Sequence, residues 1–433
     1  MAGKTKAKGA KTEKRQQGGR HLRVGFIHPK LTFEGGADRQ ILQLAKNLHD
    51  RGHECVVFTR QFKRESCFPQ LTKDLDMRSL ELPLGRRGPF PEFFLKHTLD
   101  ICRMRHMVRK AGRFDALFVQ DDPSHWVGVL GARKDTALLW MCNDPPHWFT
   151  WKEIKKTSTS YGEGGGKYAK GPFALFRAIS NWKLRSFDWL LSRRIDKVAV
   201  LDTKNQRMVK EFYGKKAEIV RSGIQVGQFK NRDGTGVRKK LGIGQTERML
   251  LCVGLFMPHR RYEDVVSALG NLDDKRTRLV IVGDSHLNPA YFQHIKQLVK
   301  KEGLEKQVSF AGYVPDDELP DYYAAADVFI FPNDQQTWGL AVLEALASGT
   351  PAIVSKGTGV KEVLDDGKTA VLYTPGDVAK LTSHIKRLTT DKTMHDRLAK
   401  AGKDFVNAKI TDRTYADRIE TILLNLASER RKK

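Results

Sequence analysis

The sequence is poor in cysteine and has no long apolar run, and both absences limit what the protein can be. Its five cysteines are scattered without CxxC spacing: Cys55, Cys67, Cys102, Cys142 and Cys252. This argues against a disulfide framework and a zinc site, and it favours a reducing, cytoplasmic setting. No stretch approaches the roughly 18 apolar residues that a membrane span needs. We also expect no signal peptide, because residues 1–20 lack an apolar region.

Acidic residues are scarce relative to basic ones, so the formal net charge is +26. A charge of this size favours anionic partners such as nucleic acid, acidic lipid or a phosphorylated substrate. Apolar residues nevertheless make up 40% of the 433 residues, which is typical of a folded protein with a large core. A chain of this length predicts two or three domains.

The positive charge is concentrated in two segments. Residues 1–20 hold seven basic residues against Glu13, which predicts a disordered tail that either tethers the protein electrostatically or only keeps it soluble. Residues 148–194, the basic aromatic segment, combine ten Lys and Arg with ten aromatic residues. Its middle, at 162–171, has the composition of a mobile loop. Residues 173–191 have the pattern of an amphipathic helix, which either lies in a lipid interface or packs its aromatic face on a core.

Strand and helix patterns alternate along the chain, which predicts parallel sheets covered by helices. The first half opens with a buried strand at 23–28, a loop with Gly35 and Gly36, and a helix over about 37–50. The pattern restarts after Gly223 with a strand at 249–254.

We therefore predict an α/β fold with two Rossmann-like, parallel-sheet domains that face a cleft. The N-terminal domain is expected at 21–222 and the C-terminal domain at 223–404. Two closing helices are expected at the end of the chain, and the last of them, at 405–433, is expected to return to the first domain. The hinges for closure over a ligand are expected at 221–231 and 403–408.

Ligands of open α/β sheets bind at the carboxyl ends of the strands, and four segments are expected there. Gly35 and Gly36 precede a helix N-terminus that favours a phosphate, although the full GxGxxG is absent and a plain turn explains the pair equally well. Arg260 and Arg261 follow the strand at 249–254 and can hold a diphosphate, unless they are a solvated pair at a helix start.

The third segment runs from Gln336 to Glu344 and is the most specific of the four. A carboxylate at Glu344 can accept both hydroxyls of a ribose, and the backbone N–H groups of Trp338, Gly339 and Leu340 are expected to face the cleft. A purely structural helix residue is the alternative for Glu344.

The fourth segment contains Asn143 and Asp144, which follow a strand at 137–142. Both side chains could face a sugar from the first domain. The Asn-Asp-Pro sequence also forms a turn without any such role.

Together these segments resemble glycosyltransferase family 4. Its second-domain motif is FxxPS-x-x-E-x-F-G-x-x-x-x-E-A-x-A-x-G-x-P, and the stretch here is FIFPNDQQTWGLAVLEALASGTP. Residues 220–229 and 313–332 are similar to two further family segments. The opening FIHPKLTFEGGADRQILQLAKNLHDRGHECVVFT is similar to that of members that mannosylate lipid-linked oligosaccharides. The resemblance runs from about Arg23 to the last helix.

The resemblance implies a type-B fold of two Rossmann domains, a retaining reaction, and a nucleotide-diphosphate sugar held mainly by the second domain. Glu344 matches the Glu that binds the ribose, and Arg260 matches the Lys that contacts the diphosphate. Gly36 matches the glycine loop. Gly339 and Leu340 match backbone contacts near the sugar phosphate.

The chain departs from the family pattern at three positions. Gln336 replaces the first acid of the E-x7-E pair, so it can hydrogen-bond a sugar hydroxyl but cannot be a carboxylate nucleophile. Leu255 replaces the usual Arg, and Arg261 is expected to substitute for it. Asn143 stands where a first-domain His usually touches the donor sugar. These changes fit a reaction without double displacement, in which cationic side chains balance the leaving diphosphate.

The sequence thus predicts a retaining glycosyltransferase that moves a hexose from GDP-mannose or UDP-glucose to a lipid-linked or polysaccharide acceptor. It is expected in the cytoplasm, with peripheral contact to an anionic inner membrane surface. No cofactor and no metal are expected. The paired aspartates have the pattern of turns and caps rather than of metal ligands, at 121–122, 273–274, 316–317 and 365–366.

Two alternatives stay open. A non-catalytic relative that only binds nucleotide sugar is motivated by the three departures. A nucleic-acid-binding protein is motivated by the charge of +26. An anionic donor and anionic lipid explain the charge equally well, so nucleic acid is not the expected partner.

Overall fold

The computed structural model describes residues 21–81, 90–144, 172–335 and 338–432, and for 90–97 and 172–181 it describes the backbone alone. Three predicted features lie outside the described residues, namely the tail at 1–20, the loop at 162–171 and Gln336. The described chain forms two parallel β-sheets with helices around them.

Thirteen strands are described. Their bounds are β1 Arg23–His28, β2 Glu54–Thr59, β3 Asp76–Ser79, β4 Ala116–Gln120, β5 Ala137–Met141, β6 Lys197–Val200, β7 Glu218–Ile219, β8 Arg248–Val253, β9 Thr277–Val282, β10 Val308–Gly312, β11 Val328–Phe331, β12 Ala352–Ser355 and β13 Val371–Tyr373. The first sheet has the order β3-β2-β1-β4-β5-β6-β7, and the second has the order β10-β9-β8-β11-β12-β13.

The α-helices of the described residues connect and cover these strands. Their bounds are α1 Gly36–Asp50, α2 Pro69–Thr72, α3 Phe90–Lys110, α4 Ser124–Gly131, α5 Pro172–Ser192, α6 Thr203–Tyr213, α7 Thr235–Lys240, α8 Tyr262–Leu272, α9 Pro289–Lys301, α10 Leu319–Ala325, α11 Leu340–Ser348, α12 Val378–Thr390, α13 Lys392–Lys409 and α14 Asp412–Lys432.

The strands are short apolar runs, as sheets buried on both faces require. Every residue of β4 and β5 is buried. Parallel neighbours cannot be joined by hairpins, so the chain crosses over each sheet through a connecting segment, in most cases a helix. The predicted fold class of two Rossmann-like, parallel-sheet domains is confirmed.

Each sheet has one point where the strand order reverses direction. In the first sheet the reversal lies between β1 and β4, and in the second it lies between β8 and β11. The loops that leave adjacent strands at such a point turn to opposite sides of the sheet and leave a crevice for a ligand. The site is therefore expected at the loops that follow β1, β4, β8 and β11.

The chain closes on three helices, α12 to α14, and not on the two that the sequence predicted. The break between α12 and α13 has a local cause, because the carboxylate of Asp391 caps α13 and accepts a 2.9 Å hydrogen bond from the backbone N–H of Met394. As predicted, the last helix returns to the first sheet domain. There α14 contacts α1, β4 and β5.

The chain passes between the two halves twice, and the two passages lie side by side. The backbone N–H of Asp412 donates to the carbonyl of Ile224 at 3.0 Å, and the N–H of Ile224 donates to the carbonyl of Ile410 at 3.3 Å. The second passage is thus at the break between α13 and α14. The predicted hinge at 403–408 is wrong, because those residues lie inside α13.

The amphipathic helix predicted at 173–191 is present as α5. Its residue Asp188 is fully buried and accepts hydrogen bonds from the indole N–H of Trp126 and the hydroxyl of Tyr213, both at 2.5 Å. Nε2 of His125 lies at the same distance from Asp188. These contacts fix α5 to α4 and α6. None of the helices that the structure describes has both the length and the apolar character needed to cross a membrane.

The opposite face of α5 is exposed. Trp182 is 66% exposed, Trp189 43% and Leu190 59%. Lys183 and Arg185 lie among them and are also exposed. Within its described side chains, this helix therefore buries a polar anchor and presents its large apolar residues outward.

Candidate active site

The loops after β8 and β11 meet at the reversal point of the second sheet. Gly254 begins the first loop with a φ of +151°, and a Cβ there would lie 3.2 Å from Cζ of Arg260. Glycine at this position therefore lets the Arg260 guanidinium lie directly over the strand end. The carbonyl of Gly254 accepts a 2.7 Å hydrogen bond from the hydroxyl of Tyr262, which fixes the loop to the start of α8.

Arg260 is a cation at this point for which the described residues provide no counter-ion. No described carboxylate pairs with its guanidinium, and its Nε is buried without a hydrogen-bond partner. Burial lowers the pKa of Arg260, and burial together with the charge of Arg260 lowers the pKa of neighbouring His259 to about 4. Arg260 as a whole is half-buried. A partly buried, unpaired guanidinium is costly, so its presence here favours a role in binding an anion.

Arg261 differs from its neighbour. Its Nε and Nη2 donate to the two carboxylate oxygens of Asp264 at 2.8 and 2.9 Å, a bidentate pair on the first turn of α8. The Asp264 carboxylate also accepts from the N–H of Gly376 at 3.0 Å. Of the two predicted diphosphate ligands, the structure thus leaves Arg260 unpaired and gives Arg261 another partner. Arg261 was expected to take the role of the Arg that Leu255 replaces. Its pairing with Asp264 does not support that role.

The loop before α11 reaches the first half of the chain. The indole N–H of Trp338 donates to the carbonyl of Ser222 at 3.0 Å, and Gly339 is the N-terminal cap of α11 without a side-chain capping bond. A Cβ on Gly36 would lie 3.6 Å from Cδ1 of Leu340. The predicted glycine loop of the first sheet and the predicted donor segment of the second therefore lie against each other across the cleft.

Glu344 lies in the middle of α11 with a side chain that is only 5% exposed. Its Oε2 accepts a 2.7 Å hydrogen bond from the hydroxyl of Tyr323. Its Oε1 accepts from Arg39, a residue of α1 in the first half of the chain. Arg39 also pairs with Asp316.

Arg39 was missed by the sequence analysis. Its partner Glu344 is 305 positions away along the chain, and no local pattern links the two. The available signal was its position in the first turn after the Gly35-Gly36 loop, at a helix start expected to face the cleft.

The first-sheet side of the cleft carries carboxylates around His28. Nε2 of His28 lies 3.3 Å from Asp121, and Nδ1 lies 2.9 Å from the carbonyl of Lys30 and 3.5 Å from Asp38. Burial opposes the charged imidazole, but Asp121 and then Asp38 outweigh it and raise the pKa of His28. Burial in turn raises the pKa of Asp38 to about 6. The raised pKa of Asp38 lets this carboxyl hold a proton at mildly acidic pH.

Asn143 and Asp144 follow β5 on this side of the cleft. The side-chain N–H of Asn143 donates to Asp121 at 3.1 Å. The backbone carbonyl of Asn143 accepts from the side chain of Asn205. The side-chain oxygen Oδ1 of Asn143 is buried without a hydrogen-bond partner among the described residues. Asp144 is exposed by surface area, yet desolvation and then the charges of Asp121 and Asp202 raise its pKa. Asn143 is therefore held by the scaffold, and Asp144 lies at the accessible rim.

The remaining predicted residue, Gln336, lies outside the described residues, and its role stays a prediction. Among the residues that the structure describes, no three His, Cys, Asp or Glu side chains converge as a metal site would require.

Two family models match this chain, one in each half. The family model of Glycosyltransferase Family 4 matches residues 34–228, and that of Glycosyl transferases group 1 matches residues 235–405. Mannosylfructose-phosphate synthase of Agrobacterium fabrum is 26% identical over 397 residues, which are 87% of this chain and 84% of that protein.

Two solved structures share the fold. HepE of Anabaena in complex with UDP-glucose aligns with a TM-score of 0.73 at 17% identity, over 93% of this chain and 99% of its own. Sucrose-phosphate synthase of Thermosynechococcus elongatus aligns with a TM-score of 0.73 at 20% identity, over 95% of this chain and 100% of its own.

The chain therefore has the type-B fold of two parallel-sheet domains whose reversal points share a cleft, as these two solved structures do. The two family models together cover most of the chain and show that it belongs to glycosyltransferase family 4, and its sequence motifs agree.

Proposed function

We propose that this glycosyltransferase moves a hexose, with retention, from a nucleotide-diphosphate hexose of the GDP-mannose or UDP-glucose type to a lipid-linked or glycan hydroxyl. The observation that carries the proposal is the half-buried Arg260 at the reversal point of the second sheet, which has no carboxylate partner among the described residues. An anionic diphosphate is the group that this guanidinium lacks. The name of the Agrobacterium relative and the UDP-glucose bound to HepE support a hexose donor.

The proposed reaction breaks the bond between C1 of the hexose and the diphosphate oxygen. Arg260 balances the charge that develops on the leaving diphosphate, which is where a fixed cation lowers the barrier. The acceptor oxygen bonds to C1 from the face that the diphosphate leaves, and its proton passes to a diphosphate oxygen. Gln336 is proposed to hydrogen-bond the sugar without attacking it. The unpartnered amide oxygen of Asn143 and the carboxyl of Asp144 are proposed to face the sugar and the acceptor from the first sheet.

A panel of nucleotide sugars tests this proposal with the native chain and with Glu344→Gln. We expect saturable binding of one donor, with slow hydrolysis that persists in EDTA. A hydrogen bond between neutral and charged groups contributes about 1.5–3 kcal/mol, so Glu344→Gln should weaken donor binding roughly 10- to 100-fold.

Glu362→Gln is the matched control for that panel. Glu362 also joins the two halves, since it accepts from Thr203 and Arg221, but it lies in the segment after β12 and not in the loops after β8 and β11. Equal losses in both variants would show a merely structural effect and reject the ribose role of Glu344. Donor binding with neither hydrolysis nor transfer to any acceptor would favour the non-catalytic relative.

We further propose that the acceptor is presented at an anionic membrane on the cytoplasmic side. The exposed Trp182, Trp189 and Leu190 lie beside Lys183 and Arg185 on α5. Indole rings favour the membrane interface, and basic side chains favour anionic headgroups.

Vesicle sedimentation checks this proposal. The triple variant Trp182→Ser, Trp189→Ser and Leu190→Ser should bind vesicles with 30% phosphatidylserine about tenfold more weakly than the native chain. The control is Leu287→Ser, which changes a residue of similar exposure, 62%, in the other half of the chain. Salt-dependent binding to duplex DNA with none to vesicles would instead support the nucleic-acid alternative.

A further inference from the structure

The two halves of the chain are joined by a set of polar contacts beside the candidate donor site. Arg39 pairs with both Glu344 and Asp316. Glu34 accepts hydrogen bonds from the hydroxyl of Tyr313 at 2.7 Å and from the backbone N–H of Asp316 at 3.2 Å. We refer to these five residues, Glu34, Arg39, Tyr313, Asp316 and Glu344, as the cross-cleft contacts.

These contacts close off the carboxylate of Glu344. A carboxylate has about four acceptor positions, and the hydroxyl of Tyr323 and the guanidinium of Arg39 occupy one on each oxygen. Two positions stay formally open, yet the side chain is only 5% exposed. A ribose can therefore reach Glu344 only after a covering group leaves.

The covering group that can leave is Arg39. Tyr323 belongs to the same half of the chain as Glu344 and moves with it, whereas Arg39 lies on α1 in the other half. Asp316 lies in the same half as Glu344, so opening of the cleft separates Arg39 from both carboxylates. In the open cleft water reaches the guanidinium, so the separation leaves no isolated buried charge.

We propose that the cross-cleft contacts hold the ligand-free cleft closed and that Arg39 competes with the donor ribose for Glu344. This inference rests on the proposed function, in which Glu344 binds the ribose. The apparent affinity for a nucleotide is the intrinsic affinity multiplied by the fraction of molecules in the open state. Arg39 thus lowers donor affinity, and it keeps the site closed when no donor is bound.

Arg39→Gln tests the inference with two readouts. The radius of gyration of the ligand-free protein, from small-angle X-ray scattering, is expected to rise. The dissociation constants of UDP and GDP, from calorimetry, are expected to fall for whichever nucleotide the native chain binds, by roughly 3- to 10-fold as the open fraction grows. Glu344→Gln breaks the same pair but should weaken nucleotide binding. Substitutions of the two members of this pair should therefore have opposite effects on nucleotide affinity.

Two further variants complete the experiment. Tyr313→Phe removes one hydroxyl from an exposed residue and should shift both readouts in the same direction as Arg39→Gln, by less. Arg51→Gln is the control, because Arg51 is similarly exposed and pairs with Glu420 and Asp417 of α14, the helix that packs on the first sheet domain, and so does not cross the cleft. It should leave both readouts unchanged.

The outcomes separate this inference from the proposed function. Normal nucleotide binding with an unchanged radius of gyration, or weaker binding in Arg39→Gln, would overturn the inference and leave the proposed function standing. A rise in the radius of gyration with no binding of UDP or GDP by any variant would overturn the proposed function and the competition for Glu344 together.

Discussion

Replacing Arg260 by Met should lower kcat/KM for the donor about 100- to 1000-fold, the loss that follows removal of one preorganised group that stabilises transition-state charge. The reason is geometric, because Arg260 lies over the end of β8 with no carboxylate partner among the described residues. Methionine keeps much of the side-chain volume and removes the charge. Steady-state kinetics with the donor identified by the panel provides the measurement.

The same substitution should not destabilise the protein. Burial lowers the pKa of Arg260, which shows that its environment disfavours the charge. The Met variant should therefore unfold at the same temperature as the native chain or a few degrees higher, as expected where function and stability conflict. A large activity loss together with a large drop in melting temperature would contradict this account and assign Arg260 a structural role.

The neighbouring arginine provides the control. Arg261→Met removes the bidentate pair with Asp264, so it should cost about 1–3 kcal/mol of stability and affect the chemical step less than Arg260→Met. Arg260→Lys should retain part of the activity, since it keeps a cation and restores the residue that the family has at this position. If Arg261→Met abolished turnover while Arg260→Met did not, the assignment of the diphosphate ligand would be reversed.

Replacing Asp188 by Ala should cost about 3–5 kcal/mol of the free energy of unfolding of the first sheet domain, because one partner of a buried charged network is removed. Asp188 accepts from Trp126 and Tyr213, and Nε2 of His125 lies at the same 2.5 Å distance. These interactions outweigh burial and lower the pKa of Asp188. Thermal unfolding followed by calorimetry, which separates transitions of the two halves, provides the measurement.

A graded series distinguishes this network from general packing. Tyr213→Phe removes one of the donors and should cost only about 1 kcal/mol. Asp188→Asn keeps an acceptor oxygen and should fall between the two. An Asp188→Asn variant as stable as the native chain would show that the charge of Asp188 contributes nothing.

Much of the fold follows from local patterns. Strands β1, β4 and β8 can be predicted from their apolar runs, because a parallel strand is buried on both faces and has few polar positions. Helix α1 follows from its spacing after Gly35 and Gly36. The division of the closing segment into three helices depends on one cap at Asp391, and a single capping aspartate in a helical stretch is a weak signal.

Local sequence patterns predict only part of the site. The sequence places Arg260, Arg261 and Glu344 at the cleft because each lies near a strand end or in the helix that follows it. It does not distinguish Arg260 from Arg261, although the i,i+3 spacing of Arg261 and Asp264 was an available signal. The pairing of Arg39 with Glu344 depends on how two separately folded halves meet, and local sequence carries no information on that contact.

The central claim is that the cleft holds a nucleotide-diphosphate sugar between Arg260 and Glu344. A crystal structure with the donor identified by the panel tests it most directly. We predict a diphosphate oxygen within about 3.2 Å of an Arg260 nitrogen, a ribose hydroxyl on the carboxylate of Glu344, and Arg39 displaced from that carboxylate. A nucleotide bound elsewhere, or at this cleft with Arg260 still unpaired, would contradict the account.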